Sequence, residues 1–80
     1  MKTVHIEYYS LFREETGKAS ESLQTDASNA AELFCELSET YAFSLSVDRL
    51  RVAVDDEFSD WQRPLHEGAT VVFIPPVAGG

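Results

Sequence analysis

The stretch Ala69-Thr70-Val71-Val72-Phe73-Ile74-Pro75-Pro76-Val77-Ala78-Gly79-Gly80 decides the reading of this chain. Val71 to Ile74 form the most apolar run in the sequence. A short β-branched and aromatic run beside a turn reads as a strand. Because its apolar residues do not alternate with polar ones, it is expected to be buried on both faces and central in its sheet. Pro75-Pro76 must end it, since proline has no N–H to give to a ladder. From there the side chains shrink through valine and alanine to two glycines. The chain therefore leaves a rigid central strand, is stiffened by two prolines, and finishes in residues small enough to enter a narrow channel.

Upstream, Pro64 to Gly68 reads as a turn, and Leu50, Val52 and Val54 alternate as a strand with one buried face. Asp55-Asp56 is a turn signal, because short acidic side chains bond their own backbone and tolerate turn geometry. Glu57 and Phe58 then begin a short return strand. Ala30, Leu33, Phe34, Leu37 and Tyr41 make one stripe of an amphipathic helix. Asn29 followed by Glu32 is a capping-box variant, with Ser28 as the alternative cap. Near the start, Val4, Ile6 and Tyr8 alternate with Thr3, His5 and Glu7 as a first strand. Ser10 to Thr16 is expected to form a helical turn capped by Ser10 and closed by Gly17, with Leu11 and Phe12 tucked into the core. Ala19 to Gln24 is a weaker strand whose clearest apolar residue is Leu23, which suits a sheet edge.

The order strand, strand, helix, strands predicts an α+β domain with one main helix packed across a small mixed sheet. That is the β-grasp (ubiquitin-like) arrangement. Residues 1–80 are expected to make a single domain with a flexible tail over 75–80. Hydrophobic residues supply 44% of the chain, enough for one small core without staples. The lone Cys35 cannot form an internal disulfide, which fits a reducing cytoplasmic setting. No signal peptide and no membrane span are visible in the sequence.

Fourteen acidic residues oppose six basic ones, for a net charge of −8. Nucleic acid and anionic membranes would repel such a chain. Either a basic partner surface is implied, or the charge serves only solubility. His5 and His66 lack metal-ligand spacing, so no metal site is expected. Asp55, Asp56, Glu57 and Asp60 lack the pattern of a calcium loop and read as a solvated turn. Cys35 lies off the apolar stripe and has nothing near it in sequence to activate a thiol. Phe58 and Phe73 are expected in the core. Trp61 fits either the core or a partner interface.

The tail carries the chemical signal. A carboxylate is inert toward nucleophiles, but joining it to AMP makes an acyl adenylate with a good leaving group. A sulfur nucleophile can displace AMP and leave a thiocarboxylate. Bulky residues at the last two positions would obstruct both the activating and the accepting site.

Over its whole length the chain resembles the small, sulfur-carrying subunits of molybdopterin synthase (MoaD) in the ThiS/MoaD superfamily. The resemblance runs from Tyr8-Tyr9-Ser10-Leu11-Phe12-Arg13-Glu14-Glu15-Thr16-Gly17, through Ala31-Glu32-Leu33 and Arg51-Val52-Ala53-Val54, to Leu65-His66-Glu67-Gly68-Ala69-Thr70-Val71. Its most specific element is Phe73-Ile74-Pro75-Pro76-Val77-Ala78-Gly79-Gly80, whose paired prolines favour this subfamily over the thiamine sulfur carriers. Asp55 and Ala69 depart from the asparagine and aspartate usual there, which bears on local turn geometry.

The resemblance implies a sulfur carrier that is not an enzyme on its own. Gly80 would be adenylated with ATP by an adenylyltransferase similar to ubiquitin-activating enzymes. A cysteine-persulfide donor would then convert it to the thiocarboxylate. The charged tail would enter the large subunit of molybdopterin synthase, in a heterotetramer, and give its sulfur to cyclic pyranopterin monophosphate. No cofactor would be held permanently. Gly79, Ala78 and Val77 would occupy the partner's channel, with Pro75, Pro76 and Trp61 as contacts. The alternatives on the same fold are a carrier for thiamine or tRNA thiolation, a ubiquitin-like protein modifier, or a binding module with an idle tail.

Overall fold

The computed structural model describes residues 1–76. Strand β1 (Lys2–Glu7) leads into helix α1 (Leu11–Thr16) and strand β2 (Ser20–Thr25). Helix α2 (Ala30–Tyr41) follows, then a 3-10 turn (Val47–Arg49) and strands β3 (Arg51–Val54), β4 (Glu57–Ser59) and β5 (Thr70–Ile74). The strands form one sheet in the order β2-β1-β5-β3-β4. Only β1 and β5 pair in parallel, with Ile6 beside Val71; the other neighbours are antiparallel. A mixed five-stranded sheet with α2 across one face is the expected β-grasp arrangement, β5 lies at its centre, and β2 is an edge.

Helix α2 forms where the stripe predicts, burying Ala30, Leu33, Phe34 and Leu37. Its N-cap is Asn29 rather than the alternative Ser28, which gives only its backbone N–H. The Asn29 side chain accepts from Glu32 N at 2.9 Å, while the Glu32 carboxylate accepts from Ser28 N at 2.8 Å. The helix ends at Ala42, whose φ of 55° lies in the left-handed region that glycine tolerates better. Beneath α2, Val4, Ile6, Val52, Val54, Val71 and Phe73 are sealed. Aromatic rings fill the end of the core toward which β5 runs, with Phe34–Phe73 centroids 5.0 Å apart and Phe12–Phe43 4.9 Å apart, both edge-on.

Three local expectations are corrected. The outward residues of β5 are half-buried, because none of the described residues forms a second layer on that face. Its unbroken apolar run is thus not a sign of burial on both sides. Ser10 does not cap α1 with its side chain. Its backbone, at φ 48° and ψ −122°, turns the chain instead, and α1 is anchored by buried Phe12 and closed by Gly17 at φ 75°. Leu11 is only half-buried, at the rim rather than in the core.

One polar cluster ties the layers together. The Glu21 carboxylate, on β2, accepts from Tyr8 Oη at 2.6 Å, Tyr41 Oη at 2.8 Å and Lys18 Nζ at 3.1 Å. Burial pushes the Glu21 carboxyl up, but the two phenols and the ammonium outweigh it and hold it below its ordinary value. Burial first, then the bond to Glu21, pushes the Tyr8 phenol well up. Strand β2, helix α2 and Tyr8, the residue that follows β1, are therefore cross-linked through one charged acceptor.

Candidate functional site: the exit of the C-terminal tail

Strand β5 ends at Ile74, and the chain then runs out through half-buried Pro75 and exposed Pro76. Val77, Ala78, Gly79 and Gly80, expected to enter a partner, lie outside the described residues. The described part shows what surrounds their point of departure. Since β5 is flanked by β1 and β3 and backed by α2, the exit is fixed on the most constrained strand of the sheet.

Two grooves flank the exit. On one side Tyr9, Leu11, Leu45, Val72, Ile74 and Pro75 make a mostly apolar wall. On the other, Asp48, Arg49, Arg51 and Phe58 face Ile74 and Pro75. Both open onto the sheet face that α2 leaves uncovered. The register assigns Glu7, Val72, Ala53 and Phe58 to one row across that face, with Arg51 beside Ile74 in the next.

Phe58 is the residue that sequence reasoning misplaced. It is 68% exposed, not in the core. It sits on edge strand β4 directly opposite Ala53, on the uncovered side. A signal was present, since Glu57-Phe58-Ser59 has an apolar residue between polar ones, and the turn at Asp55-Asp56 fixes which side it takes. Tyr9 is also exposed on this side, its hydroxyl 3.2 Å from Glu7 Oε1.

Trp61 lies on the other side of the sheet, half-buried. Its ring stacks on Phe73 with centroids 5.9 Å apart and planes 6° from parallel, and meets Phe34 edge-on at 6.0 Å. Its packing partners are core rings, and it lines neither exit groove. Phe73 is buried as expected. Cys35 is exposed on the outer side of α2 among Ala31, Glu32, Glu36 and Glu39.

The turns with atypical residues are well formed. Asp55 and Asp56 both have positive φ, 53° and 68°, as a tight hairpin turn requires. The Asp55 carboxylate accepts from Thr70 N at 3.0 Å and meets His66 Nε2 at 2.5 Å. The bond from Thr70, then that from His66, holds the Asp55 carboxyl below its usual value, and the bond to Asp55 raises His66. Ala69 is fully buried, with its N–H bonded to the His66 carbonyl at 3.1 Å. This end of β5 is the one opposite the tail. Among the described residues no three His, Cys, Asp or Glu side chains are grouped to hold a metal, and no helix is long and apolar enough to cross a membrane.

A sequence model of the ThiS family matches residues 6–80, which include the central strand and the whole tail. This chain belongs to the ThiS family. Solved structures agree on the ubiquitin-like fold of this ThiS-family chain. A protein described as molybdopterin converting factor subunit 1 from Pyrococcus furiosus is 23% identical, with a TM-score of 0.83 covering 96% of this chain and 100% of the other. Small archaeal modifier protein 1 from Haloferax volcanii is 14% identical, with a TM-score of 0.82 over 96% and 100%. A chain of the complex of subunits 1 and 2 of molybdopterin-converting factor from Helicobacter pylori is 22% identical, with a TM-score of 0.69 over 98% and 99%. Comparison with curated proteins found no match. At these identities the neighbours establish the fold that the ThiS-family chain shares with them.

Proposed function

We propose that this protein is the sulfur-carrier subunit of a molybdopterin synthase, acting through the carboxylate of Gly80. One observation carries the reading: a ThiS-family chain ends in Pro75-Pro76-Val77-Ala78-Gly79-Gly80, directly behind the central strand of its sheet. The rigid strand supplies a fixed origin, the prolines limit the first part of the tail, and the glycines leave the carboxylate unhindered. A partner that docks on the uncovered face would receive the tip at a set distance. The Helicobacter pylori neighbour, a complex of subunits 1 and 2 of molybdopterin-converting factor, supports a second subunit as that partner.

In the proposed cycle, an adenylating enzyme joins Gly80 to AMP at the expense of ATP. The outer sulfur of a persulfide donor displaces AMP to give an acyl disulfide. A second thiol cleaves its S–S bond, leaving a disulfide on the donor side and the thiocarboxylate on Gly80. The thiocarboxylate enters the large subunit to build the dithiolene on cyclic pyranopterin monophosphate. Substrate binding and proton transfer belong to the partner. This chain's own parts hold, aim and release the tail, in the cytoplasm where Cys35 stays a thiol. A second reading, a protein modifier that joins Gly80 to lysines of targets, draws support from the Haloferax volcanii neighbour. It uses the same activated carboxylate.

Intact mass spectrometry tests the proposal. The chain is incubated with ATP, an adenylating partner, a persulfide donor and a thiol to cleave the acyl disulfide, beside a variant lacking Gly80. A mass gain corresponding to sulfur in place of oxygen, located on the tail by fragmentation and absent from the truncated variant, is expected. No gain with a partner active on another carrier would overturn the reading. Isopeptide remnants on other proteins would favour the modifier.

A further inference from the structure

We propose that the groove between the 3-10 turn and β4 docks an acidic segment of the enzyme that activates the tail, with Arg49 and Arg51 as its readers; this rests on the carrier reading above. The chain's overall charge of −8 favours a basic partner surface at long range. Close to the tail the charge pattern differs. Two of the six basic residues stand in one groove beside Ile74 and Pro75. Among the described residues, neither Arg49 nor Arg51 makes an ion pair. The one acid in the groove, Asp48, accepts from the Ser46 hydroxyl.

The Arg51 guanidinium lies over the Phe58 ring, 5.7 Å from its centroid. A guanidinium resting on a ring is oriented, so its donor fork is ready for a carboxylate. An exposed aromatic beside an arginine is also the composition that concentrates binding energy at interfaces. Arg51 is paired across the sheet with Ile74, the last residue before the prolines. The groove therefore borders the last described residues of the chain, Ile74, Pro75 and Pro76. Phosphate suits a guanidinium as well, but the exposed Phe58 ring and the Ile74–Pro75 wall ask for an occupant that is part apolar. The favoured occupant is thus a peptide surface that sets a carboxylate next to an apolar side chain.

The test uses the full chain, the adenylating enzyme from the same genome and ATP. Pyrophosphate release is followed as a function of carrier concentration. Arg51→Glu and Arg49→Glu are compared with wild type and with Arg63→Glu, the same charge change outside this groove. Both arginines are exposed, and thermal melts verify that the variants fold. The groove variants are expected to raise the half-maximal carrier concentration about tenfold with the maximal rate unchanged, and to weaken its salt dependence. Arg51→Lys should recover part of the loss. Groove variants that behave like Arg63→Glu would overturn the proposal. So would binding of ATP to the free chain, seen as amide shifts around Arg51 and lost in Arg51→Glu, which would assign the groove to a nucleotide. A wild-type chain that is never adenylated fails the carrier reading itself, an outcome distinct from adenylation that ignores the arginines.

Discussion

Along β5, Val71 and Phe73 are sealed under α2, while their neighbours Val72 and Ile74 stay half-exposed. Along β3, Val52 and Val54 are sealed, while Arg51 is exposed and Ala53 half-buried. The two faces of this sheet are written by alternate residues of the same strands, yet they serve different ends. The covered face carries rings and β-branched side chains that interlock with Phe34 and Leu33. The uncovered face carries Phe58, Val72, Ile74 and Arg51, too apolar for ordinary solvent-facing positions and too sparse to form a second core. The first is committed to folding. The second takes no part in the core, and it surrounds the point where the described chain ends at Pro76.

Substitution on the two faces should separate these roles. Phe73→Ala empties a site packed by Phe34, Trp61 and Phe12 and is expected to cost about 3–5 kcal/mol in urea unfolding. Phe58→Ala, on the open face, should stay within about 0.5 kcal/mol and weaken partner binding instead. Equal stability losses at the two positions would break the comparison. The next effect sharpens it at the sheet's edge. Glu21→Gln leaves Tyr8 and Tyr41 with a weaker acceptor and Lys18 without a counter-charge, at a cost of about 1–3 kcal/mol with sulfur loading unchanged. A loading defect at unaltered stability would move this cluster from scaffold to site.

A smaller change of opposite sign is expected where α2 ends. Ala42→Gly relieves a left-handed alanine and should gain up to about 1 kcal/mol, measured by the unfolding midpoint, with no effect on the open face. The smallest effect is one of pH. His66 is raised by Asp55, so its contribution is complete below the ordinary histidine value, about 6.5, and is lost as pH rises through the raised value. Asp55 is lowered, so its contribution is present above the ordinary aspartate value, about 3.9, and is lost as pH falls through the lowered one. Stability should therefore crest between these ordinary values. His66→Asn should flatten the alkaline side of the crest, and an unchanged profile would remove the pair from the account.

Much of the scaffold was legible because it rests on periodicity. The stripe from Ala30 to Tyr41 gave α2, the alternation at Val52 and Val54 gave β3, and the run before Pro75 gave a central β5. The open face was harder to read. In β5 an unbroken apolar run looks the same whether its outer residues meet a second layer or await a partner. Ser10 failed as a cap because its backbone, at φ 48° and ψ −122°, turns the chain there while its side chain makes no bond to the helix. Trp61 was undecided for a similar reason, since its stacking on Phe73 joins residues from distant parts of the chain.

Sequence alone determined the order of elements along the chain, the central place of the last strand, the capped helix, the proline stop and the small-residue tail ending in Gly80. Each follows from local propensity, hydrophobic period or side-chain size, which neighbouring residues set among themselves. Only the tertiary structure decided that Phe58 and Arg51 share a groove with Ile74 and Pro75 while Trp61 packs on Phe73. Those placements depend on which strands pair, in what register, and on which side the single helix lies, and that outcome emerges only when residues far apart in the chain compete for the same core.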